Sequence, residues 1–141
     1  ELPIANRVQA NKRPRSSMSP TIVFNRRGKV KLVTGSPGGS RIIGYTAQSI
    51  MNFIDFGLDP QQAINVPHYM NRNGRLDLEE PIPGVTLAYD AKALQKTLEE
   101  DFDYGTVGVI TQTSGLSIIK VNRKRLVGGA DKRRDGTVDG R

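Results

Sequence analysis

The sequence predicts an α+β domain, and three features carry that prediction. Hairpin patterns stand towards both ends, helical patterns lie between them, and 141 residues leave room for one domain rather than two ordinary ones. With 36% hydrophobic residues the chain can build a core, and a domain of this size buries about 70% of the surface its unfolded form exposes. Charged residues at 25% match an ordinary folded domain rather than a disordered one.

Residues 1–20 carry Pro3, Pro14 and Pro20 without a regular period and read as an extended arm. Thr21-Ile22-Val23-Phe24 is β-branched and aromatic, Asn25-Arg26-Arg27-Gly28 supplies a turn, and Lys29 to Thr34 alternates polar with apolar; together they predict a hairpin. After a glycine-rich loop, Gly35-Ser36-Pro37-Gly38-Gly39-Ser40, apolar residues recur at 42, 43, 47, 50, 51 and 54, near the 3.6-residue period. This predicts an amphipathic helix ending around Gly57. Asp59-Pro60 is an N-cap with proline at the first helical position, opening a short helix that Pro67 stops. Residues 75–79 alternate as an edge strand, and residues 91–98 form a helix capped by Asp90. Residues 116–121 and 125–127 form a second hairpin turned at Asn122-Arg123-Lys124. The remainder, 128–141, reads as a glycine-rich charged tail.

Several function classes are excluded or disfavoured at once. The chain has no cysteine, so it holds no disulfide framework, thiolate metal site or cysteine nucleophile. No apolar run approaches the roughly 20 residues of a membrane helix. The start, from Glu1, lacks a basic and an apolar signal region and reads as a processed or excised piece. Net charge is +7, with cations concentrated in 7–41 and 120–134 around an acidic middle. A basic surface attracts polyanions, yet Phe24 is the lone aromatic of the early stretch and no nucleic-acid motif is readable. A solvating face, or one that meets an acidic partner subunit, is the preferred reading over nucleic acid.

Two segments can carry chemistry. In Asn11-Lys12-Arg13-Pro14-Arg15-Ser16-Ser17-Met18-Ser19-Pro20-Thr21, paired hydroxyls lie among cations between two prolines. Ser16 and Ser17 beside arginine suit carboxylate recognition, although the residue types by themselves favour serines satisfied by their own backbone in a turn. In the glycine loop, Gly38 and Gly39 can aim consecutive N–H groups the same way at a helix N-terminus. Such a nest holds a phosphate, a carboxylate or an oxyanion, or is simply a tight turn; both readings stand. The loop lacks the ending of a P-loop and the spacing of a dinucleotide fingerprint. His68 is the single histidine and reads as structural, the four tyrosines as packing residues, and residues 131–135 as a solvated charged turn.

Taken together, residues 12–21 and 34–43 resemble two stretches of the γ-glutamyltranspeptidase family in the same order and at similar separation. Ile54-Asp55-Phe56-Gly57-Leu58, Ala63-Ile64, Pro67, Gly129-Ala130-Asp131 and Arg134-Asp135-Gly136 extend the likeness over nearly the whole chain. The resemblance implies an N-terminal-nucleophile hydrolase, an αββα sandwich whose precursor cuts itself into large and small subunits. In that family the small subunit opens with a catalytic threonine that takes a γ-glutamyl group from glutathione or a related compound and passes it to water or an amino acid. It further implies that Ser16 and Ser17 bind the donor's α-carboxylate, that the Gly38 and Gly39 N–H groups form the oxyanion hole, and that no cofactor is used. Partners would be the large subunit and the N-terminal part of the small subunit, and the address periplasmic or secreted. This chain would then be the C-terminal portion of the small subunit, single-domain over 1–141, inactive alone because the nucleophile lies upstream of Glu1, and prone to self-associate through open sheet edges. Thr21 is no substitute, since it lies inside a matched motif. Pro67-His68 stands where relatives commonly have proline-arginine, and residues 99–103 have no counterpart. The alternatives are a related acylase or a poly-γ-glutamate depolymerase of the same fold, and, further off, a basic nucleic-acid-binding module.

Overall fold

The computed structural model describes residues 4, 6–72, 74–123 and 125–140. The chain start at Glu1, the arm's Pro3 and Lys124 of the expected hairpin turn lie outside the described residues. After the arm come β1 (Thr21–Phe24), β2 (Val30–Gly35), a 3₁₀ turn (Gly39–Arg41), α1 (Ile42–Ile54), α2 (Pro60–Asn65), β3 (Tyr69–Arg72) and β4 (Arg75–Glu79). They are followed by α3 (Ala91–Glu100), β5 (Val107–Ile110), β6 (Ser117–Asn122), β7 (Arg125–Ala130) and a 3₁₀ turn (Lys132–Arg134). The fold is α+β, as the sequence predicts.

The four-stranded sheet is antiparallel, ordered β1-β2-β6-β7. The first hairpin closes where Asn25 takes the Gly28 N–H at 2.9 Å and gives its own to Lys29, with Gly28 in the left-handed region at φ 69°. Period-2 alternation puts Leu32 and Ile118 inside, against Tyr45 and Phe53 of α1 and Ala63 and Ile64 of α2. Each fully buried Leu or Ile side chain contributes about 1.5–3 kcal/mol. α2 carries a complete capping box, Asp59 accepting from Gln62 N while Gln62 accepts from Asp59 N. It docks through a reciprocal pair, Gln61 bonding both the N–H and the carbonyl of Ala130 at 3.1 Å.

The second sheet, ordered β3-β4-β5, pairs β3 with β4 antiparallel and β4 with β5 in parallel. Three expectations change here. Residues 75–79 are the central strand, not an edge, and β3 and β5 are strands the sequence did not predict. β4 alternates as read, but both of its faces are buried: Leu76 and Leu78 pack with Val107, Val109 and Leu98, while Asp77 and Glu79 turn towards arginines. Gly128 to Ala130 belong to β7 rather than to a charged tail, and a Cβ on Gly129 would meet the Pro60 backbone at 2.6 Å. α1 forms as expected but is rotated. Its inward residues include Ile42, Tyr45, Thr46, Gln48, Ser49 and Phe53, whereas Ile43, Met51 and Ile54 are exposed. The open face of the four-stranded sheet is also apolar, where the register aligns exposed Ile22, Val33 and Ile119 in one row.

Candidate functional site

The glycine loop crosses from β2 to α1 and is pinned from three sides. Ser36 Oγ accepts from Gly115 N at 3.1 Å, and Pro37 fills the space a Cβ on Gly115 would need. At the far end Arg41 donates to Asp77 of β4 at 3.1 Å, while Arg75 Nε approaches the other oxygen of that carboxylate at 2.8 Å. Beneath the bend lies the Tyr45 ring, so close that a Cβ on Gly38 would fall 2.7 Å from it. Tyr45 is held in turn, its hydroxyl donating to Gln112 at 2.7 Å and accepting from Thr113 N at 3.4 Å. Tyr45, read from the sequence as a packing residue, is therefore also a hydrogen-bonded floor. Gly38 has φ 138° and Gly39 φ 60°, values that L side chains rarely adopt.

These two glycines open the helical segment. Gly38 O accepts from Arg41 N and Gly39 O from Ile42 N, while neither the Gly38 nor the Gly39 N–H donates to an acceptor among the described residues. The positive end of α1 adds to the field at that point. The arm returns to the same place: Asn6, Arg15, Ser16, Ser17, Met18, Gly39, Ser40, Ile42 and Arg72 line one concavity of about 440 Å³. Three of the four residues singled out by the sequence thus share a wall, with Gly38 just behind it. Ser16 Oγ accepts from Met18 N at 3.2 Å, so it also performs the turn role open to it. Asn6 and Arg72 are additions. β3, which carries Arg72, gave no sequence signal.

Behind the loop runs a buried polar ring that the sequence did not foretell. Arg133 is bidentate to Glu79 at 2.6 and 2.8 Å, and it also reaches Asp131 at 3.1 Å and the carbonyls of Ile64 and Val66. Glu79 and the Asp131 and Arg133 side chains are no more than 1% exposed, so of the solvated turn expected at 131–135 only Lys132, Arg134 and Asp135 are exposed. Paired hydrogen bonds make this burial tolerable, and they raise the Arg133 pKa against the opposing effect of desolvation. Ser114 Oγ donates to Asp131 at 2.5 Å and contacts His68 Nε2 at 2.9 Å; His68 Nδ1 lies 3.0 Å from Gln48 Oε1. The serine stands between histidine and aspartate, with Ser114 fully buried, an order that does not make a nucleophile.

His68 is buried and structural, as read from the sequence, and its ring tilts against Tyr45 at 4.5 Å. Both ring nitrogens face oxygen atoms, which favours the charged ring. Burial first, then the Arg133 charge, outweigh this and lower its pKa from 6.5 to about 3. The unfolded chain therefore takes up a proton that the fold refuses. The His68 contribution to stability is complete above about pH 6.5 and is lost as pH falls towards 3, by up to ~1.4 kcal/mol per pH unit. Urea unfolding of the complete protein at pH 7 and pH 5 should show this loss, and His68→Gln should flatten it; equal slopes in both proteins would refute the assignment.

Comparison with known proteins gives the family. The γ-glutamyltranspeptidase family profile matches residues 2–140. The chain belongs to the γ-glutamyltranspeptidase family. Among curated γ-glutamyltranspeptidase relatives it is similar to the glutathione hydrolase proenzyme of Escherichia coli (strain K12), 58% identical over 65 residues, covering 46% of this chain and 11% of that protein. The glutathione hydrolase proenzyme of Bacillus subtilis subsp. natto is 34% identical over 136 residues, covering 86% of this chain and 23% of that protein. The chain thus spans 11–23% of the length of these two relatives. The solved γ-glutamyltranspeptidase from Pseudomonas nitroreducens complexed with L-DON superposes with a TM-score of 0.75 at 28% identity, covering 97% of this chain and 68% of that one. That of Helicobacter pylori gives 0.68 at 34% identity, covering 90% and 66%. No helix among the described residues is long and apolar enough to cross a membrane.

Proposed function

We propose that this chain is the C-terminal portion of the small subunit of a γ-glutamyltransferase or glutathione hydrolase, and that its concavity holds the γ-glutamyl donor. The observation that carries the reading is the meeting of the adjacent pair Ser16 and Ser17 with Gly39, 22 residues beyond Ser17, on one wall beside free N–H groups. In this reading the Ser16 and Ser17 hydroxyls donate to the donor's α-carboxylate. A threonine at the start of the small subunit, supplied by the rest of the protein, attacks the γ-carbonyl. Negative charge then develops on the carbonyl oxygen, and the Gly38 and Gly39 N–H groups receive it at the positive end of α1. Collapse expels the amine and leaves a γ-glutamyl-threonine ester, which water or an amino acid cleaves. Preorganised amides suit this task because they need not reorient as the charge appears.

The same reading gives the exposed apolar surfaces an occupant. The outward stripe of α1 and the open row Ile22-Val33-Ile119 would be covered by the large subunit and the second sheet of the sandwich. The chain by itself would be inactive, since it places donors around a carbonyl that nothing attacks.

Replacing Ser16 and Ser17 together by alanine in the complete enzyme removes two hydrogen bonds to a charged group. Each such bond is worth about 1.5–3 kcal/mol. The donor KM should rise by about a hundredfold or more, with the folded protein unchanged in its melting temperature. A double variant with wild-type KM and kcat removes the pair from the site.

A further inference from the structure

The concavity carries two charges to which the proposed chemistry gives no task. Arg15 precedes Ser16 on the arm, where its backbone is fixed by Asn6: Arg15 N donates to Asn6 Oδ1 at 2.8 Å and Asn6 Nδ2 reaches Arg15 O at 3.5 Å. Arg72 closes β3 and reaches the same wall from the other sheet. Three arginines nearby have carboxylates, Arg41 and Arg75 on Asp77 and Arg133 on Glu79, and Arg134 has the Thr113 carbonyl. Neither Arg15 nor Arg72 has a carboxylate partner among the described residues, and no acidic residue lines the concavity.

Resting on the reading above, we infer that Arg15 and Arg72 form a second anion subsite, so that the favoured donor bears a carboxylate beyond the scissile γ-amide as well as its α-carboxylate. Charge and hydrogen-bond capacity both point this way. One carboxylate offers about four lone-pair positions, which two serine hydroxyls and one bidentate guanidinium already fill. A second guanidinium then faces no acceptor. Both arginines are exposed, and a single carboxylate in the concavity leaves one of them without a counter-charge. A donor with two carboxylates balances both. The space allows it: about 440 Å³ lies within the usual range for small-ligand sites, and a leaving group two residues long reaches roughly 7 Å past the scissile bond.

The test is a ratio measured on the complete, processed enzyme. The donors are glutathione and glutathione amidated at its C-terminal carboxyl, which differ in that one charge. The ratio of their kcat/KM values should fall by about tenfold in Arg15→Gln and again in Arg72→Gln, the loss expected for a charge-assisted hydrogen bond. Arg15→Lys should retain part of it. Unchanged ratios in both glutamine variants, whether activity is kept or both donors decline together, would overturn the inference and return the guanidiniums to the α-carboxylate or to the fold. Replacing Ser16 and Ser17 by alanine separates the two readings: it should weaken both donors and leave their ratio alone. Serine variants that leave both donors untouched would sink the reading of the α-carboxylate site, while a ratio shift in the arginine variants would still uphold the second subsite.

Discussion

Under the proposed assignment, Gly38→Ala should lower turnover of the complete enzyme by about 10²–10³, the cost of losing one oxyanion-hole donor. Two separate effects act at this position. The backbone φ of 138° is hostile to any side chain, and the added carbon would lie 2.7 Å from the Tyr45 ring. Tyr45 has little room to yield, because its hydroxyl is tied to Gln112 and Thr113 and its ring leans on His68. The bend itself must therefore move, and the amides at 38 and 39 move with it. Gly39→Ala is the informative control. Nothing lies within 4 Å of a Cβ there and φ is 60°, so alanine meets strain of about 1–2 kcal/mol but no collision. Steady-state kinetics with one donor, alongside a melting curve for each variant, measure both effects. A Gly38→Ala enzyme with the turnover of the unsubstituted protein would show that the bend does not position reacting groups.

The second large effect concerns stability. Arg133→Met should destabilise the protein by about 3–5 kcal/mol, since it leaves two buried carboxylates without their cation. Glu79 would keep one bond from His68 N, at 2.7 Å, and Asp131 its bonds from Ser114 and Leu116, but their charges would face an apolar interior. Against a typical net stability of 5–15 kcal/mol this is a large share. Lysine should rescue little, because a single ammonium cannot grip Glu79 with two parallel bonds while also reaching Asp131 and the Ile64 carbonyl. Chemical denaturation of Arg133→Met, Arg133→Lys and the double variant Arg133→Met/Glu79→Gln tests the charge account. The double variant, with one buried charge fewer, should recover part of the loss. A change below 1 kcal/mol in Arg133→Met would show that the cluster is hydrated rather than dry.

Much of the site was legible before any coordinates. The serine pair and the glycine pair are adjacent in sequence, so their donors come as ready-made neighbours, and the resemblance they carry was specific enough to give the family. The rest was hidden for identifiable reasons. β5 pairs in parallel with β4 across 31 positions, Leu76 opposite Val107, and such long-range pairing leaves little trace in a local window. β4 read as an edge strand because Arg75, two residues before Asp77, is the one cation its local pattern offers; the other partners of Asp77 and Glu79, Arg41 and Arg133, are 36 and 54 residues away. The apolar stripe points one way, yet α1 turns Tyr45 and Gln48 inward, where Gln112 and the Tyr69 carbonyl accept from them; buried Ser49 is satisfied within the helix by the Thr46 carbonyl.

By itself, then, the sequence determined what neighbours determine: turns from Asn25 to Gly28, the caps at Asp59 and Asp90, the helical and strand periods, and the adjacency of the chemical groups. Tertiary structure alone decided which faces are dry, which charges neutralise each other, and that an arm beginning before β1 folds back over the start of α1. The division follows from range. Local conformation costs and gains its free energy within a few residues, whereas desolvation is fixed by whatever the distant chain brings to the same place.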